Sequence, residues 1–137
     1  MEEETEEQYY DLEERTFRFA KRVREFARKL PRTIANMEDV KQLIRSSGSV
    51  GANYIEANEA ISNKDFLHRI KISRKEAKES RYWLRLVYVG DDQSLEQERS
   101  DLAQEALELT KIFGKIVHDK EGTSKQEKEN NDSTLEF

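Results

Sequence analysis

No cysteine occurs among the 137 residues, and proline occurs once, at Pro31. The first absence excludes disulfides and thiolate metal sites, and it suits a reducing, cytoplasmic setting. The second leaves long stretches free to form helix. No apolar run approaches the roughly 18 residues of a membrane span. The opening "MEEETEEQYY" is the opposite of a basic, apolar secretory signal. Apolar residues make up only 35% of the chain and charged residues 39%. That balance describes one small domain with a thin core and charged outer faces.

The net charge of −5 hides an asymmetry. Residues 1–14 carry eight acids and no Lys or Arg, residues 15–88 carry 18 basic and 8 acidic side chains, and residues 89–137 carry 6 basic and 13 acidic ones. A strongly basic middle between acidic ends points to an anionic partner, although tails that screen a basic body would read the same way. The overall pI of about 5.3 weighs against the first of these.

Apolar spacing predicts four helices. Leu12, Thr16, Phe19, Val23, Phe26 and Leu30 form one stripe over 11–30, ended by Pro31. A second helix spans 37–61, with Asn36 as a candidate cap and Glu38 and Asp39 suited to its positive end. Ser62 and Asp65 open a third helix over 63–89, and Gly90 ends it. Ser94 opens a fourth over 94–118, carrying Leu95, Leu102, Ala106, Leu109, Phe113, Ile116 and Val117. Residues 1–10 read as an acidic tail and 119–137 as a disordered polar tail. No strand pattern appears. An all-α, antiparallel up-and-down four-helix bundle follows.

The centre of the second helix, "RSSGSVGANYIEA", is rich in poor helix formers, each glycine costing roughly 1 kcal/mol against alanine. With Val40 at the origin of a helical wheel, Ser47, Gly51, Tyr54 and Asn58 fall within about 60° of it, and Gly48 lies just beyond. Small residues on the buried side let a neighbouring backbone come close, and dispersion attraction along that seam offsets the lost propensity. A ligand pocket or a hinge is the alternative reading of the same glycines. Asn58 reads as a core-facing polar residue, satisfied by a neighbouring helix or setting the register between helices.

"LIRSSGSVGANYIEANEA" followed by "SNKDFLHRIKISRKEAKESRYWLRLV" resembles the small bacterial four-helix-bundle proteins encoded by intervening sequences within 23S rRNA genes. The resemblance rests on Ala52, Asn53 and Glu56, then on the Ser62, Asp65, Phe66 helix start and the basic helix after it. It covers about residues 12–117 and is most specific over 42–88. Many relatives have proline where this chain has Gly51, so a kink built by proline is not expected here. The resemblance implies a homopentameric ring. It also implies a likeness to the accessory variability determinant of diversity-generating retroelements, a basic ring that works with nucleic acid and a reverse transcriptase.

The third helix carries the best candidate surface. Lys71, Arg74, Lys75, Lys78, Arg81 and Arg85 share one side of the wheel, with Tyr82 among them. Several cations at helical spacing beside an aromatic ring suit phosphate neutralisation and base stacking. Arg18 and Arg22 of the first helix are candidate additions. The plainer reading is a solvated face compensated by Glu76 and Glu79. Phe17 and Leu67 lie off their own apolar stripes and Trp83 at the edge of one, which makes the three candidates for a subunit contact.

No reaction is legible. His68 and His118 lie on different helices, "GSVG" sits inside a helix without the Lys-Ser/Thr of a phosphate loop, and no Glu-x-x-His motif occurs. Asn53 and Glu56 read as a structural pair. The expectation is therefore a non-enzymatic oligomer without cofactor or metal. It binds RNA or DNA through a basic face of helices 1 and 3, as an accessory to a nucleic-acid-processing protein. A protein-interaction scaffold is the rival.

Overall fold

Four helices and short connections account for the described residues. The computed structural model describes residues 12–135, with side chains over 12–122. The acidic segment expected at 1–10 lies outside the described residues. Helix α1 spans Leu12–Arg28, α2 Ile34–Asn58, α3 Asn63–Leu86 and α4 Gln93–Leu135. Among the described residues no helix is long and apolar enough to cross a membrane.

Steps of three and four bury Leu12, Thr16, Phe19, Val23 and Phe26 of α1. Ser62 caps α3 as expected, accepting the Asp65 N–H at 3.1 Å. Two other starts differ from expectation. Thr33 caps α2, its hydroxyl accepting the Asn36 N–H at 3.1 Å, so α2 begins at Ile34 and Asn36 is a buried interior residue. Asp92, not Ser94, caps α4; its carboxylate accepts from the Ser94 N–H and hydroxyl and the Leu95 N–H. The Ser94 hydroxyl and the Leu95 N–H hold that carboxyl below the usual aspartate range.

Three ends differ as well. Helix α2 stops at Asn58, and α3 stops at Leu86, where extended Val87 leads to Gly90 at φ +71°. Val87 and Val89, expected inside the helix, are buried from the loop instead. Helix α4 continues to Leu135 through the segment expected to be disordered. Its 43 residues make it much the longest of the four.

Four pairs of neighbours fix the topology. Thr16 meets Gly51 and Arg24 meets Gly48 across α1 and α2. Ser80 meets Ser46 and Ser73 meets Val50 across α2 and α3. Lys71 meets Glu121 and Arg74 meets Gly114 across α3 and α4. Arg15 meets Glu105 and Lys29 meets Glu98 across α1 and α4. Numbering rises on one helix as it falls on the other in every pair, so all neighbours are antiparallel. Among the described residues the backbones of α1 and α3 do not come close to each other; the two helices occupy opposite corners. Tyr54 and Phe113 bring α2 and α4 together in the core, ring centroids 5.9 Å apart.

The small residues of α2 form two seams. Toward α3, buried Ser46 and Ser80 place their hydroxyls 2.9 Å apart, and buried Ser73 donates to the Val50 carbonyl at 2.9 Å. Ser47 is fully buried and donates to its own helix at Ile44. Toward α1, Gly51 faces Thr16 so closely that an added Cβ would stand 2.7 Å from its Oγ1. That is close packing, the first of the two readings. Asn58 corrects the wheel. The buried arc centres on Leu43 and Val50, about 60° from Val40. Ala57 therefore takes the core position at the helix end, and Asn58 is exposed.

The two glycines predict opposite outcomes. Gly51→Ala gains helix propensity but drives a methyl into buried Thr16, so a net loss of about 1–2 kcal/mol is expected. At Gly48 the nearest obstacle is the end of the flexible Arg24 side chain at 3.2 Å. Gly48→Ala is expected to stabilise by about 0.5–1 kcal/mol. Urea unfolding of both variants checks this, and the same sign for the two would contradict the packing account.

Candidate nucleic-acid interface

Helix α3 buries Ile70, Ser73, Glu76, Ala77, Ser80 and Leu84 between α2 and α4. Its remaining surface has two unlike flanks. On the α2 side lie Glu76 and Glu79, both paired with Arg45. Contact with Glu79 raises the Arg45 guanidinium above its ordinary range. Those two carboxylates, which could have compensated the cationic strip, are thus engaged by α2.

The other flank carries the strip. Lys75, Lys78 and Arg85 are exposed, Arg74 and Arg81 half-buried, and among the described residues none of the five has a carboxylate partner. Lys71 alone is paired, with Glu121 at 2.7 Å. The Arg74 stem runs beside Gly114, its Cδ 3.7 Å from where a Cβ would stand, so α4 offers a smooth bed for it. Tyr82 is exposed within the strip, its ring edge-on to Trp83 at 4.9 Å. The arrangement can neutralise several phosphates in a row and offer one aromatic face for stacking.

Arg18 and Arg22 do not extend this surface. They are exposed on α1, which sits diagonally across the bundle, and line a cleft with Glu14, Arg15 and Glu105. Four cations on or just after α1 are already engaged. Arg15 binds Glu105 at 2.6 Å, Arg18 binds Glu14 at 3.2 Å, Lys29 binds Glu98 at 2.8 Å, and Arg24 donates to the Ala20 carbonyl at 2.9 Å. The Glu105 contact raises the Arg15 guanidinium above its ordinary range. The expected single face of helices 1 and 3 is therefore two separate strips, each with some of its cations paired and others not among the described residues.

The contact candidates also separate. Phe17 is 61% exposed, as expected. Leu67 is half-buried against the core, because it lies on the side of α3 that turns toward a neighbour; it does not point away. Trp83 is half-buried against the same core and donates its Nε1–H to Glu79 at 3.3 Å. Sequence reading misses another apolar surface, at the end where the α1–α2 and α3–α4 loops meet. Ile34 is 87% exposed there, with Met37, Leu86 and Tyr88 all more than half exposed. Ala27, Leu30, Pro31, Met37 and Val40 line an adjoining groove of about 340 Å³. A helix starting at Ile34 puts two large apolar side chains on its outer side, a signal hidden when the start is placed at 37.

Asn53 does not pair with Glu56. Its amide donates to the Ser49 carbonyl at 2.9 Å and its oxygen accepts from Arg69 at 3.2 Å. His68 and His118 are both exposed. Among the described residues no group of three or more His, Asp or Glu is placed to hold a metal ion.

The family model of the 23S rRNA-intervening sequence protein matches residues 8–115. A crystal structure of a protein with unknown function from the S23 ribosomal protein family of Bacteroides thetaiotaomicron is similar at 28% identity. The match covers 77% of this chain and 96% of that one, with a TM-score of 0.66. Among curated proteins, none matches this chain.

Proposed function

Because the chain belongs to the 23S rRNA-intervening sequence protein family, we propose that it acts by binding RNA or DNA, not by catalysis, and that α3 supplies the contact. The observation that carries this reading is the row of five α3 cations that have no carboxylate partner among the described residues, beside exposed Tyr82. A partner protein that processes nucleic acid would then be recruited to the same complex. The test is fluorescence anisotropy of a labelled single-stranded RNA titrated at several salt concentrations. Five or six phosphates neutralised on the strip imply that log K falls against log salt with a slope of about −4. No binding at low salt, or a slope near zero, would overturn the reading in favour of a protein-interaction scaffold.

Self-association is the second part of the proposal, and exposed Phe17, Ile34, Met37, Leu86 and Tyr88 support it. The assembly proposed is a homo-oligomer, a pentamer by resemblance. In such a closed ring the α3 strip repeats around the axis and its field adds. Light scattering at micromolar concentration is expected to return a multiple of 16.2 kDa. A mass of one chain would defeat this part alone.

A further inference from the structure

The α3 strip ends in a groove. The last turns of α3 and the first turns of α4 enclose about 340 Å³, lined by Arg81, Arg85, Arg99, Glu96, Ser100 and Gln104. Three guanidiniums face one carboxylate there. Arg99 is fixed at both ends of its fork, donating from Nη1 to the Val87 carbonyl at 2.6 Å and from Nη2 to Glu96. Glu96 is thereby neutralised, and the charge of Arg81 and Arg85 is left over, a local +2. Guanidinium forks fit the edges of a tetrahedral oxyanion, and the Ser100 hydroxyl and Gln104 amide add neutral donors. The volume is at the lower end for small-ligand clefts, enough for a phosphate with part of its sugar.

Resting on the nucleic-acid reading above, the geometry points to this groove as a seat for the terminal phosphate monoester of a strand laid along α3. Two features favour an end over an internal linkage. Beyond Arg85 the surface turns apolar at Leu86 and Tyr88, then acidic at Asp91 and Asp92. A polyanion that followed the strip would be repelled if it ran on. An internal diester carries a single charge, whereas a monoester carries about −1.5 to −2 at neutral pH and so matches the uncompensated charge of the groove.

The experiment is competition against a common labelled RNA probe by four unlabelled competitors. Three are one RNA decamer bearing a 5′-phosphate, a 3′-phosphate or neither, and the fourth is inorganic phosphate. One phosphorylated decamer is expected to compete about tenfold better than the unphosphorylated one. In Arg81→Gln plus Arg85→Gln the advantage should vanish. In Lys75→Gln plus Lys78→Gln all three decamers should weaken while the advantage remains. Equal competition by the three decamers against wild-type protein, or an advantage that survives the arginine changes, overturns the inference and leaves the α3 reading standing. Inorganic phosphate that competes as well as the phosphorylated decamer would make this a free-anion site and overturn it too. A probe that does not bind at all defeats both readings together.

Discussion

Replacing Lys75, Lys78 and Arg81 together with glutamate is expected to weaken nucleic-acid binding by at least about 100-fold near 0.1 M salt. Each reversal removes one phosphate contact and adds a repulsion, and the three lie on a single flank where none of them has a carboxylate partner among the described residues. Folding should be little affected, because Lys75 and Lys78 are exposed and Arg81 is half-buried at the groove mouth. The control is Arg18→Glu plus Arg22→Glu. It alters net charge by four units against six, on the diagonal helix, beside Glu14 and Glu105. Long-range attraction alone would make the two variants scale with charge. Contact through α3 predicts a loss for the control of no more than about a few-fold, through the general field. Comparable losses for both would show that total charge, not the α3 surface, governs binding.

The strip is legible because its spacing is helical and its residue type uniform; turning Lys71 to Arg85 onto one flank needs only 100° per residue. What it faces is less legible. Glu76 and Glu79 stand close by in sequence, and only the position of Arg45 on α2 shows that they turn away. The separation of Arg18 and Arg22 from α3 is a consequence of topology. Four antiparallel helices joined by short connections stand in ring order, so the first and third occupy opposite corners. Periodicity on each helix carries no such information.

Boundaries are misread for local reasons. Thr33 precedes Ile34, a large apolar residue that looks like core but is exposed, so the true cap is masked by a misleading pattern. Past residue 118 the low apolar content reads as disorder. Lys, Gln and Glu are nonetheless good helix formers, and composition that excludes a core does not exclude helix. The inward turn of Ser47 and the close approach at Gly51 are legible, since a run of small residues on one arc has few other uses. Asn58 is misplaced by one position of drift along a wheel centred too far toward α1.

Asn36→Leu should cost about 3–4 kcal/mol, the largest stability loss expected of any single substitution considered. The residue is 2% exposed, and its side chain joins the two loops at one end of the bundle. Its amide donates to the Pro31 carbonyl at 2.9 Å and to the Tyr88 carbonyl at 2.8 Å, while its oxygen accepts the Tyr88 N–H at 2.9 Å. Leucine keeps the branched shape, is somewhat larger and supplies none of these bonds, so three backbone groups of the loops lose their partner, each at about 1 kcal/mol or more. Against a typical total of about 5–15 kcal/mol that is a large share. Asn36→Asp separates hydrogen bonding from bulk. It can keep the bond from the Tyr88 N–H but sets a carboxylate against two carbonyls, so it should be at least as damaging as leucine. Urea unfolding followed by Trp83 fluorescence measures both. A loss under about 1 kcal/mol for both variants would mean that water or a loop shift replaces the amide. A large loss would place the anchor of the α3 terminus, and of the arginines just before it, on a residue that reads in sequence as a helix cap.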